Sequence, residues 1–232
     1  MDNDERLARI GARAAAEVAE GSIVGLGTAS TAEAMIRALG VRVAEGLNIT
    51  GVSTSNRSSA LARSLNIPLV ALDDVDRIDL CIDGADEIDP NVDVVKGRGG
   101  ALLFEKLVAR QARRYLIIAS NEKLVPRLGT RLPLPVEVMP PGWKATSREI
   151  AALDLNPVLR TSPDGSPFVT DGGHWILDCD PPEGGFSDPS GLAHALKAIV
   201  GVVEHGLFIG MADLALTIDK DGAITETVRP GR

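Results

Sequence analysis

Ile78-Asp79-Leu80-Cys81-Ile82-Asp83-Gly84-Ala85-Asp86-Glu87, followed by Lys96-Gly97-Arg98-Gly99-Gly100 and then by Glu105, is the stretch from which the fold is most directly read. Residues 78–82 form a short apolar run rich in branched side chains and closed by Gly84, the pattern of a buried strand that delivers Asp83 to a loop. In an open α/β sheet, loops at the carboxyl ends of strands are where ligands bind. A second apolar run, Val92 to Val95, ends at Lys96, and the glycines behind it can turn backbone N–H groups around an anion or a developing oxyanion. Glu105 falls early in a helix expected over residues 100–113, whose Leu102, Leu103, Leu107 and Val108 face the sheet. Carboxylates beside a lysine and amide donors suit proton transfer next to a carbonyl, the carboxylate taking the proton while the cation and amides hold the resulting charge. Taken singly, Asp83 and Asp86 read equally as turn caps, Lys96 as a solvated cation and Glu105 as part of a wet helix face. Their sharing one short segment with four glycines argues for chemistry.

Toward the N-terminus, the spacing predicts a helix over 5–18 and a strand over 23–26, then Gly27-Thr28-Ala29-Ser30-Thr31 and a helix over 32–39. Hydroxyls and amides meeting at a helix N-terminus make an anion site, although the same residues also read as a capping device. The nucleotide-hydrolase pattern G-x-x-x-x-G-K-[ST] is missing, and Gly25 and Gly27 have no third glycine at the dinucleotide spacing, so a monophosphate fits better than a nucleotide. Residues 26–39 are echoed by residues 52–65, both reading as strand, hydroxyl-rich turn and helix; this marks successive units of a parallel sheet, and the second turn is placed to serve the same pocket. Further strands are expected at 69–72 and 115–120, the latter ending just before Lys123, which reads as a ligand of phosphate or as a surface cation.

The 232 residues suffice for one large or two small domains, and the net charge of −8, with basic residues scattered among acids, argues against a nucleic-acid surface. No apolar stretch approaches the ~18 to 20 residues that span a bilayer, so no membrane partner and a cytoplasmic location are expected. Cys81 and Cys179 read as buried, reduced side chains, and the three histidines show no metal-ligand spacing, so no metal is predicted. Prolines 133, 135, 140 and 141 mark a change of texture. The expected organisation is a Rossmann-like parallel-sheet domain over 1–131 and 206–232, with a smaller α+β, ferredoxin-like domain inserted over 132–205. That insert should hold helices over 147–153 and 191–198 and strands over 158–161, 168–170, 175–179 and near 202–203. A closing strand over 214–218 returns to the first sheet, and a polar tail follows.

The anion-binding turn, the D-G-A-D loop, the K-G-x-G-G turn and the helix glutamate, in this order, resemble the A-type ribose-5-phosphate isomerase family, and the resemblance covers almost the whole chain. It implies interconversion of ribose 5-phosphate and ribulose 5-phosphate through an enediol or enediolate in the pentose phosphate pathway, with no cofactor, by a homodimer or homotetramer. It further implies Glu105 as the proton shuttle between C2 and C1, and Asp83 and Asp86 as ligands of sugar hydroxyls that assist ring opening. Lys96 with the amides of Gly97, Arg98 and Gly99 would stabilise the oxyanion. Thr28, Ala29, Ser30 and Thr31 would hold the phosphate, Gly84 and Ala85 would line the sugar, and Lys123 would lie near the substrate. The family usually has glycine where Ala29 and Arg98 stand. Ala29 is harmless if its φ is negative and strained otherwise, while Arg98 either points away from the pocket or adds a cation to it. Two other readings are a sugar-phosphate sensor module, which would need no base, and a related enzyme such as an amino-sugar-phosphate deaminase or a coenzyme A transferase.

Overall fold

The computed structural model describes residues 1–231, and by packing the chain divides into two compact units. The first comprises residues 1–85, 104–123 and 211–231. It opens with helix α1 (Asn3–Ala15), capped by a reciprocal pair in which the Asp2 side chain accepts the Glu5 N–H and the Glu5 side chain accepts the Asp2 N–H. Strand β1 (Ile23–Leu26), helix α2 (Ser30–Ala44), strand β2 (Thr50–Ser53), helix α3 (Asn56–Ser64) and strand β3 (Ile78–Asp83) follow. The second unit takes in residues 86–103 and 124–210. It holds β4 (Glu87–Ile88), β5 (Val94–Val95) and the start of helix α4 (Leu102–Gln111), whose remainder leads into strand β6 (Ala112–Ser120) of the first unit.

Six strands form the sheet of the first unit, which is completed by β12 (Leu214–Ile218) and β13 (Ile224–Val228), in the order β13-β12-β6-β3-β1-β2. All neighbours pair in parallel except β12 with β13. Helices on both faces explain why β12 is buried at every position and reads as an apolar run broken only by Thr217. Because β2 lies on one side of β1 and β3 on the other, the strand order reverses at β1 and β3. The turn after β1 and the loop after β3 therefore flank the crevice where ligands of such sheets collect. The core beneath includes Ile10, Val24, Leu26, Met35, Leu39, Ile82, Leu116 and Leu216.

In the second unit β7 (Leu134–Val138), α5 (Trp143–Ala151), β8 (Asn156–Leu159), β9 (Trp175–Asp180), α6 (Pro189–Ala198) and β10 (Val202–His205) run in βαββαβ order. Their antiparallel sheet has the order β10-β7-β9-β8, the ferredoxin-like arrangement expected of the insert. A second, three-stranded sheet joins β4 and β5 to β11 (Leu207–Phe208). This sheet moves the packing boundary away from the position expected at residue 131. Residues 86–103, 124–131 and 206–210 cluster with the βαββαβ module, since β5 pairs with β11 and the Lys96 N–H donates to the Gly206 carbonyl at 2.9 Å.

Three expected segments change in kind. The strand expected over 69–72 is reduced to a bridge between Gly51 and Leu69, because Pro68 has no N–H to extend the ladder. Pro167 likewise confines the strand expected over 168–170 to a bridge with Thr161. The polar tail is strand β13, an edge strand that half-buries only Ile224 and Thr227 and so lacks an apolar signature.

Candidate active site

Within the first unit, the turn after β1 is locked to the end of β3. Asp83 is fully buried, and its Oδ1 accepts the N–H of Thr28 at 3.0 Å and of Gly84 at 2.7 Å. The approach is possible because residue 27 is glycine: a β-carbon there would lie 2.2 Å from Asp83 Oδ1. The Thr28 hydroxyl lies 2.8 Å from the hydroxyls of both Thr54 and Ser55. The two echoing turns thus share one hydrogen-bonded cluster.

The hydroxyl-rich turn does not cap α2. Its N-cap is Ala29, with no side-chain hydrogen bond, so the Ser30 and Thr31 amides open the helix without a side-chain acceptor. By contrast, Ser55 and Ser58 cap α3 reciprocally. An uncapped helix N-terminus favours an anion through both its N–H groups and its dipole. Ala29 has φ 86° and ψ 169°, a region populated almost only by glycine, so the alanine carries backbone strain.

Register places Tyr115 opposite Cys81 and Ile117 opposite Asp83, so Cys81 and Asp83 share one face of the sheet. Helix α4 covers that face: a β-carbon at Gly25 would lie 2.8 Å from both Cys81 Sγ and Val108 Cγ1. Glu105, one turn earlier on α4, is buried with 4 % of its surface exposed. Burial pushes the Tyr115 phenol well above its usual range, and its acidic neighbours Asp83, Cys81 and Glu105 add to the shift. Tyr115 was not singled out from the sequence, where it reads as one more apolar residue of β6. Lys123 closes the 3₁₀ turn after β6 and is half-buried.

Within the second unit, Asp86 and the glycine-rich turn are tied together. The Asp86 N–H donates to the Val95 carbonyl at 2.8 Å, and its Oδ2 accepts the Arg98 N–H at 3.0 Å. Lys96 is 3 % exposed, with Nζ 5.8 Å from the centroid of the Phe208 ring, a cation–π contact. Gly97 has φ 108°, which permits the turn. The Arg98 side chain is exposed at the rim of a cavity of about 370 Å³ that also touches Asp86, Pro135, Arg160 and Asp178. Glu87, fully buried and also unremarked in the sequence, accepts the N–H groups of Gly129, Arg131 and Leu132 at 2.5, 2.8 and 3.0 Å and fixes that loop. Both cysteines are buried thiols. Among the described residues no group of three or more His, Cys, Asp and Glu side chains is arranged to hold a metal ion, and no helix is long and apolar enough to cross a membrane.

The family model of ribose 5-phosphate isomerase A (phosphoriboisomerase A) matches residues 50–222. The chain belongs to the ribose-5-phosphate isomerase A family. It is 51 % identical over 219 residues to the ribose-5-phosphate isomerase A of Thermomicrobium roseum, covering 94 % of this chain and 90 % of that protein. With the enzyme of Roseiflexus castenholzii it shares 49 % identity over 226 residues, covering 97 % and 96 %. Among solved structures, a D-ribose-5-phosphate isomerase in complex with phospho-erythronic acid superposes with a TM-score of 0.93 at 35 % identity, covering 98 % of this chain and all of that one. The ribose 5-phosphate isomerase A of Methanocaldococcus jannaschii gives 0.92 at 33 % identity, covering 98 % and 100 %. Membership of the isomerase A family does not favour the sensor, deaminase and transferase readings.

Proposed function

We propose that this chain interconverts D-ribose 5-phosphate and D-ribulose 5-phosphate through an enediolate. The observation that carries the proposal is the pair of buried carboxylates, Asp83 and Glu105, in a unit that also presents the uncapped N-terminus of α2. The reaction is redox-neutral within the sugar. One proton passes between C2 and C1, another between the two oxygens, and no external oxidant is consumed. A single carboxylate can carry the carbon-bound proton when both carbons present the same face to it, and Glu105 takes that role. A base with so little exposed surface meets few waters that would exchange the proton away.

Ser30 and Thr31, with the Thr28 hydroxyl and the Ala29 backbone, hold the phosphate at the start of α2, and Lys123 adds a cation. Asp83, Asp86 and the backbone of Gly84 and Ala85 hold the sugar hydroxyls and assist ring opening. Lys96 and the amides of Gly97 and Gly99 stabilise the enediolate oxygen, a contribution of the kind worth about 10²–10³ in kcat per donor elsewhere; the Arg98 N–H, which the resemblance adds to that set, instead donates to Asp86 and holds its carboxylate. A homodimer or homotetramer and a cytoplasmic location belong to the same proposal; light scattering of the purified protein checks the former. The functional test is ketopentose formation from ribose 5-phosphate with excess chelator, repeated from ribulose 5-phosphate. One equilibrium ratio reached from both sides supports the proposal, while binding without turnover would replace it with the sensor reading.

A further inference from the structure

We infer that Arg160, held by Asp178, is a positioning residue that sets the peptide planes of the Gly97–Gly99 turn; this rests on the proposed role of that turn at the enediolate. The Arg160 guanidinium is engaged on two sides. Toward β9, Nε donates to Asp178 Oδ2 at 2.8 Å and Nη2 to Asp178 Oδ1 at 2.5 Å, a bidentate pair that fixes the plane of the group. Toward the turn, Nη1 donates to the carbonyls of two consecutive residues, Gly97 at 3.1 Å and Arg98 at 3.0 Å. The guanidinium also lies 5.7 Å from the centroid of the Phe168 ring, and its side chain is only 14 % exposed.

Two carbonyls converging on one nitrogen constrain the amides of the same peptides. Among the described residues every peptide bond is trans, so each N–H points away from the carbonyl of its own plane. The plane joining Gly97 to Arg98 shows the result: its carbonyl meets Arg160 and its N–H meets Asp86 Oδ2 at 3.0 Å. The next plane is held the same way by the Arg98 carbonyl, which turns the Gly99 N–H away from Arg160. A β-carbon built on Gly99 meets nothing within 4 Å, so the turn is exposed at that residue. Arg160 thereby holds one amide against the Asp86 carboxylate and keeps the second turned away from itself, available to the oxygen it is proposed to serve. A lysine could neutralise Asp178 but has no rigid fork with which to hold both partners at once.

Because a donor placed for the enediolate acts on the transition state, losing its orientation should lower kcat more than it raises KM. Phospho-erythronic acid is the probe for that state, since its carboxylate spreads negative charge over two oxygens as an enediolate does. For Arg160→Met the expected result is a kcat lower by about 30- to 100-fold, a KM for ribose 5-phosphate within about threefold, and an inhibition constant for phospho-erythronic acid that rises in step with the loss of kcat. Arg160→Lys should lose less than Arg160→Met. A folded Arg160→Met with unchanged kcat, or with a raised KM alone, overturns the inference. If Arg160→Met does not fold, Asp178→Asn decides on the same three readings. Lys96→Ala separates the two levels: if it leaves kcat unchanged, the enediolate role of the turn is wrong, whereas a large loss there with none in the Arg160 variants sinks only the positioning role.

Discussion

The backbone N–H of Thr28 donates to the buried carboxylate of Asp83 at 3.0 Å, joining two loops that lie 55 residues apart in the chain. The proposed phosphate turn and the first aspartate of the D-G-A-D loop are therefore one rigid piece. Parallel pairing of β1 with β3 brings them to the same edge of the sheet, and Gly27 lets them touch.

Gly27→Ala should separate that piece. The added methyl would have to displace Asp83, an overpacking cost of about 1–3 kcal/mol in stability. Because it moves both the turn and the carboxylate, kcat/KM should fall by about 10² or more. Urea denaturation and steady-state kinetics on the one variant check both effects.

Ala29→Gly should act in the opposite sense on stability. Relief of a backbone conformation that costs about 1–3 kcal/mol outweighs the extra freedom glycine gives the unfolded chain, about 0.4–1 kcal/mol. The expected outcome is a higher urea midpoint with substrate KM changed little, since the amides of the turn remain. A lower midpoint would show that the strain is already relieved elsewhere.

Acid should weaken one tie between α1 and the sheet. The hydrogen bond from Arg13 holds the Glu17 carboxyl below its usual range; partial burial opposes this and Arg114 on β6 adds to it. A folded-state pKa below the unfolded one contributes stability that is present above the unfolded value of 4.5 and lost as pH falls through the folded value. Glu17→Gln should therefore cost up to about 1 kcal/mol at pH 7 and progressively less below pH 4.5. Thermal unfolding of both proteins at pH 7 and pH 3 measures the difference.

The sequence is legible where burial is two-sided and the contacts are local. Strands β1 and β12 are legible to the residue because helices cover both faces and leave apolar runs interrupted only by Thr217 of β12. The echo of residues 26–39 in 52–65 revealed two successive strand-turn-helix units, and the packed cluster of Thr28, Thr54 and Ser55 follows from it. Strand β13 escaped because an edge strand shows no such run. Residues 112 and 113 fall inside the expected helix, and 114 lies between it and the expected strand, but all three begin β6, where the exposed Arg113 and Arg114 conceal the strand. Among the candidate residues, those grouped in 83–105 could be suspected from spacing alone. Arg160 could not. Its meaning depends on the register of β8 with β9, which sets Val158 opposite Asp178 and so makes Arg160 and Asp178 diagonal neighbours. A charged residue in each of two short apolar runs was the only signal, and a sequence cannot say which runs will pair. Glu87 was hidden for a similar reason, since its three partners lie more than forty residues away.

The central claim is that Glu105 carries the proton, and Glu105→Gln tests it most directly because it keeps the shape of the side chain and removes its basicity. Turnover of ribose 5-phosphate by this variant should fall by about 10³ or more, toward the upper part of what general-base catalysis supplies, while binding of the sugar phosphate stays within about threefold. A Glu105→Gln protein that binds ribose 5-phosphate and turns it over within tenfold of the parent would contradict the account.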